Sequence, residues 1–142
     1  ADIDSVVATC CAIKARIVEQ DEFDTGLRML LNFGHTLGHA VEQHFGYSCF
    51  THGEGVAIGM YQLTKRTEEL GMTAKGSAER IKSVLEKYNL PLTAGVEKAQ
   101  LLDTMARDKK KNGNSITLII LQQIGEGVLQ KVDWQEVPKY LG

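Results

Sequence analysis

The sequence predicts a mostly α fold, a bundle-like helical domain with at most one small β-hairpin, and three observations predict it. Apolar residues recur at helical spacing along most of the chain. β-Branched residues crowd into a single run, "SITLIIL" at 115–121, and cap and stop residues separate the helical stretches. At 142 residues, 43% hydrophobic and 24% charged, the chain reads as one domain, 1–142, long enough to bury roughly two thirds of its unfolded surface.

A first helix runs from residue 3 to about residue 20, with Ile3, Val6, Val7, Cys10, Ile13, Ile17 and Val18 at amphipathic spacing and Asp2 or Asp4 as its N-cap. A second pattern runs from about Thr25 to Phe45, where "FGYSCF" breaks it. The third starts at "THGE", in which Thr51 and Glu54 have capping-box spacing, and continues towards Leu70 before Gly71. A fourth spans about Ser77 to Asn89, stopped by Pro91, and a fifth about Val96 to Arg107. Next, "SITLIIL", "GEG" and "VLQKV" predict the hairpin. A last helix, with Asp133 and Glu136 at capping-box positions, closes the chain.

Composition excludes several functions. With a net charge of -2 and "KKK" at 109–111 as the one basic cluster, no stripe tracks a phosphate backbone, so nucleic acid is not an expected partner. No apolar run approaches the ~20 residues of a membrane span, and "ADIDSVV" lacks the features of a signal peptide. A soluble, cytoplasmic protein is expected. Cys10, Cys11 and Cys49 suit neither a disulfide framework nor a zinc knuckle and read as small core residues.

The second helical pattern displays unusual polar chemistry. With Arg28 at zero and about 100° per residue, Asn32 falls near about +40°, His35 about -20°, His39 about +20° and Glu42 about -40°. Asn and His are poor helix formers, and Gly34 and Gly38 on the flank cost up to ~1 kcal/mol each, so this stripe is not an ordinary solvated face. The two glycines stack one turn apart, where another backbone can approach closely. A His pair at i and i+4 can put two imidazoles at one metal, although Thr36 stands where a zincin helix has its glutamate. His52, after the turn containing Gly46, can be brought opposite His35 or His39 by two antiparallel helices, whereas His44 faces away as a surface or packing residue. On the first helix Lys14 lands inside the apolar arc, where it either snorkels or projects into a site holding an anion. Together these groups suit a small polyanion bearing carboxylate or phosphate.

Two segments, "KARIVEQDEFDTGLRMLLNFGHTLGHAVEQHFGYSCFTHGEGVAIGM" and "RDKKKNGNSITLIILQQIG", resemble the C-terminal domain of the 3-dehydroquinate synthase family. The resemblance implies an enzyme of the shikimate pathway, dependent on NAD and on zinc or cobalt. Its reaction converts a phosphorylated sugar acid, 3-deoxy-D-arabino-heptulosonate 7-phosphate, to 3-dehydroquinate and phosphate. It implies that His35 and His52 are metal ligands and His39 a catalytic, substrate-binding group. Lys14 and Arg28 match residues that hold the substrate carboxylate, and Asn32 with Lys109 or Lys110 matches contacts near the phosphate. The family's N-terminal domain, which carries the NAD site and a metal-binding glutamate, precedes the matched region. The resemblance therefore implies a C-terminal fragment, inactive alone and weak for metal, from a protein that is commonly a homodimer. Similar resemblances extend to other sugar-phosphate cyclases, such as 2-deoxy-scyllo-inosose synthase, and to the helical half of iron-type alcohol or glycerol dehydrogenases. A non-enzymatic helical metal-binding or interaction domain is a further alternative, in which Lys14 and Arg28 play no part in catalysis.

Overall fold

A computed structural model describes the backbone of residues 2–23 and 26–142, with the side chains of those residues except 108–112. The order of elements is α1 (Ile3–Gln20), a 3-10 helix (Leu27–Asn32), α2 (His35–His44), α3 (His52–Glu69), α4 (Ser77–Lys87), α5 (Lys98–Asn112), β1 (Ser115–Gln123), β2 (Glu126–Asp133) and a 3-10 turn (Val137–Tyr140). The fold is mostly α with one two-stranded antiparallel sheet, as the sequence predicts. The chain divides into two compact units, Ala1–Asn32 and Phe33–Gly142.

In the first unit, the Asp2 carboxylate accepts the Ser5 N–H at 2.7 Å and so caps α1. Past the helix end, Asp21 Oδ2 accepts the N–H groups of Gly26 (2.7 Å) and Arg28 (3.0 Å), which fastens the start of the 3-10 helix. No residue of α1 is buried, and its apolar side chains Ile3, Val6, Val7 and Ile13 are exposed. Cys10, Cys11 and Cys49 are likewise exposed thiols, which corrects their reading as core residues.

The second helical pattern is also corrected. Instead of one helix from Thr25 to Phe45, a 3-10 helix ends at Asn32 and α2 begins at His35, with Gly34 between them in the left-handed region at φ 80°. Only glycine fits there: a Cβ on Gly34 would lie 2.6 Å from both the Val56 carbonyl oxygen and Met60 Cγ. The same close approach continues along the α2–α3 contact. A Cβ on Gly38 would sit 3.0 Å from the Gly55 carbonyl, and one on Gly59 would collide with the Gly34 carbonyl oxygen. Gly34 and Gly38 thus meet a backbone as the sequence suggested, and that backbone carries its own glycines four apart.

The rest of the second unit holds this helix pair. Thr51 Oγ1 accepts the Glu54 N–H (3.3 Å) and starts α3 at His52. The core joins Leu37 and Ala40 of α2, Leu63 of α3 and Met105 of α5 to Leu118, Ile120 and Val132 of the hairpin. The strands pair in register Ile119 with Leu129 and Gln123 with Glu126, so the turn centres on Ile124 and Gly125, and Glu126 and Gly127 already belong to β2. Thr67 and Thr73 share a hydrogen bond of 2.6 Å, and the Thr73 hydroxyl donates to the Leu121 carbonyl at 2.6 Å, tying the end of α3 to β1. At the C-terminus the predicted last helix is corrected to one 3-10 turn, Val137–Tyr140, whose Val137 and Tyr140 are buried. A helix starting at Asp133 would hold Pro138, which lacks an N–H, in its interior; here Pro138 is the second residue of the turn.

Candidate metal centre

α2 is ten residues long and places His35, His39 and Glu42 at positions i, i+4 and i+7, which share one helix face. His52 is the first residue of α3, and the glycine-to-backbone contact between the two helices lets it meet that face. The three imidazoles cluster tightly. Ring centroids are 5.0 Å apart for His35 and His52, 5.6 Å for His39 and His52, and 5.7 Å for His35 and His39. The sequence left open whether His52 opposes His35 or His39; it lies beside both.

Hydrogen bonding defines which ring nitrogens remain available. His35 Nδ1 lies 3.2 Å from the Phe33 carbonyl oxygen, an acceptor only, so Nδ1 carries the proton and Nε2 the lone pair. His52 Nδ1 lies 3.3 and 3.2 Å from the two Glu42 carboxylate oxygens and is assigned the same tautomer. His39 Nδ1 lies 3.3 Å from Glu42 Oε2. The Glu42 side chain is only 7% exposed, while His39 and His52 are 54% and 56% exposed. A buried carboxylate therefore backs a surface-facing cluster of imidazoles. Among the described residues, one donor atom from each of His39, Glu42 and His52 falls within 4.8 Å of the others, the spacing of a metal-binding group. Neutral imidazoles with their second nitrogen pinned to an acceptor are a donor set that fits a divalent zinc- or cobalt-type cation.

The remaining expected residues are placed as follows. Lys14 is exposed on α1. Arg28 Nη1 donates to the Glu22 carbonyl at 3.1 Å, and Asn32 is exposed at the end of the 3-10 helix. These three belong to the first unit, the histidines to the second. Lys109 and Lys110 lie on α5, but their side chains fall outside the described residues. His44 packs its ring edge-on against Phe45 at 4.9 Å. Sequence reasoning placed Glu42 on the polar stripe without giving it a role; its spacing from His35 and His39 was the available signal. It also passed over Gly55 and Gly59, whose i, i+4 spacing mirrors that of Gly34 and Gly38.

Residues 1–111 match the family described as 3-dehydroquinate synthase C-terminal. The chain belongs to this family. Among curated relatives, the 3-dehydroquinate synthase of Clostridium acetobutylicum is 47% identical over 141 residues, covering 99% of this chain and 40% of the relative. That of Enterococcus faecalis is 39% identical over 142 residues, with 99% and 40% covered. The chain thus spans about 40% of the length of the 3-dehydroquinate synthases it matches. Two solved structures share the fold at lower identity. A 2-deoxy-scyllo-inosose synthase complexed with carbaglucose-6-phosphate, NAD+ and Co2+ superposes with TM-score 0.74 at 20% identity, covering 92% of this chain and 39% of that one. A 2-epi-5-epi-valiolone synthase from Streptomyces hygroscopicus with NAD+ and Zn2+ bound has TM-score 0.71 at 20% identity, with 88% and 35% covered. Among the described residues, no helix is long and apolar enough to cross a membrane.

Proposed function

We propose that this chain is the metal- and substrate-binding C-terminal part of a 3-dehydroquinate synthase, a lyase that converts 3-deoxy-D-arabino-heptulosonate 7-phosphate to 3-dehydroquinate and phosphate. The observation that carries the reading is the cluster of His35, His39 and His52, with Nδ1 of His35 and His52 held by acceptors and Nε2 left to bind. Family membership supports the reaction, and the metals and NAD+ named for the two structural neighbours support the cofactors.

When bound, a divalent cation would supply Lewis-acid polarisation of substrate oxygens, and NAD would supply reversible hydride acceptance. His35 and His52 would hold the cation through Nε2, since Nδ1 of each is held by an acceptor. His39, whose Nδ1 faces Glu42, passes protons to and from the substrate at its other ring nitrogen. Lys14 and Arg28 bind the carboxylate end; the bond to Glu22 occupies one of the five guanidinium donors. Asn32 and one of Lys109 and Lys110 contact the phosphate end. The third protein ligand to the metal and most of the NAD site belong to the family's N-terminal part.

The test uses a complete enzyme made by joining this chain to the portion of the Clostridium acetobutylicum relative that precedes the matched region. In it, Lys14→Ala and Arg28→Ala raise KM for the heptulosonate phosphate at least ~10-fold, the loss of one charge-assisted contact of about 1.5–3 kcal/mol. A hexose 6-phosphate without a carboxylate is a poor substrate for the parent enzyme. Equal turnover of both sugars, insensitive to the two substitutions, would instead assign the chain to another sugar-phosphate cyclase.

A further inference from the structure

We infer that Glu42 is the positioning residue of this centre: one buried carboxylate that orients both the ligand imidazole of His52 and the substrate-side imidazole of His39. The inference rests on the proposed metal role of His52. Three observations carry it. His52 Nδ1 hydrogen-bonds Glu42 Oε1 and Oε2 at 3.3 and 3.2 Å, and His39 Nδ1 makes an ion-pair-range contact with Oε2 at 3.3 Å, so one group meets the same nitrogen position on two rings. Its side chain is 7% exposed, whereas the two imidazoles are half exposed, so a buried carboxylate holds the Nδ1 side of two open rings. It is also seated from behind, because a Cβ on Gly55 would come within 3.2 Å of Glu42 Cγ and 3.6 Å of Cδ.

Each feature matches what a carboxylate behind a ligating histidine does. It fixes the tautomer with Nδ1 protonated, sets the ring plane, and raises the basicity of the nitrogen that binds. A direct ligand role fits less well, because its oxygens already face the Nδ1 atoms and its side chain is hidden from the side on which the imidazoles open. Glu42 thus links metal binding to proton transfer, since displacing it tilts His52 and His39 together.

The experiment titrates the metal-free complete enzyme with Co2+, following the visible absorption band, and then measures turnover at saturating Co2+. Glu42→Ala weakens Co2+ binding about 10–100-fold while leaving the shape of the saturated band unchanged, because the ligand set is intact. Glu42→Gln, which keeps one acceptor oxygen, falls between the variant and the parent. Turnover at saturating Co2+ also drops, through the freed His39. Nitrogen NMR of the parent finds His52 protonated at Nδ1, and in Glu42→Ala that tautomer is no longer fixed, a change that loss of packing alone does not produce. Unaltered Co2+ affinity, or a saturated band of different coordination in Glu42→Gln, overturns the inference; the second result makes Glu42 a ligand. A parent enzyme that binds no Co2+ overturns the function proposed above, and is distinguished because it fails before any substitution is made.

Discussion

His35 and His52 are alike in the one respect that matters for binding a cation: each has Nδ1 directed at an oxygen, Phe33 O in one case and Glu42 in the other. His44, on α2 with His35, has its ring against Phe45 instead. In the complete enzyme, His35→Ala and His52→Ala should therefore weaken Co2+ binding by more than the ~10–100-fold of a supporting group, and His44→Ala should leave it unchanged, as read by absorption titration. That His35, His39 and His52 come together was legible in sequence, because i, i+4 spacing and a capped helix start constrain direction. The part played by Glu42 was not, because a glutamate on a polar helix stripe is ordinarily solvated, and its spacing from His35 and His39 gains meaning only with its 6% exposure. Lys14 was singled out by its place inside an apolar arc and Arg28 by its place on the polar stripe; both belong to the first unit and the histidines to the second.

At the scale of elements, the α2–α3 contact is the structural basis of the centre. Gly59→Ala forces a methyl group into the Gly34 carbonyl, a backbone atom that cannot rotate away, so the helices must separate and the chain loses about 1–3 kcal/mol or more of stability in denaturant unfolding. The break at Gly34 escaped a purely periodic reading. The apolar spacing continues across it, and the reason for the break is a contact with Val56 and Met60, more than twenty residues away in sequence. A second device lies at the start of α4, where Gly76 offers no side-chain cap. Glu68 of α3 serves instead, accepting the N–H groups of Gly76 at 2.8 Å and Ala78 at 2.9 Å. The Ala78 N–H foremost, then that of Gly76, lowers the Glu68 pKa below its ordinary 4.5. A carboxyl depressed in the folded state adds stability that is present above its unfolded value and is lost as pH falls through the folded one. Glu68→Ala should thus cost about 1 kcal/mol at neutral pH, the scale of a helix cap, and the difference from the parent should shrink in thermal unfolding carried out well below pH 4.5. A pH-independent difference would contradict the capping role.

For the whole molecule, the mostly α class, the hairpin and the order of elements were readable because "SITLIIL" is the one dense β-branched run and cap or stop residues such as Asp2, Thr51 and Pro91 separate the helical stretches. The apolar face of α1 was readable as a pattern, yet Ile3, Val6, Val7 and Ile13 are exposed, so periodicity revealed a face without revealing what covers it. The same gap applies to function. Three imidazoles and a carboxylate suit a divalent cation, but the proposed reaction also draws on a ligand and a nucleotide site supplied by the family's N-terminal part. The most direct measurement is phosphate release from 3-deoxy-D-arabino-heptulosonate 7-phosphate by the complete enzyme, before chelation, after it, and after Co2+ or Zn2+ is restored. Release should be lost on chelation, return with either metal and be absent when His35 and His52 are both replaced by alanine. Release that persists in chelator, or in the double variant, would contradict the proposed metal role.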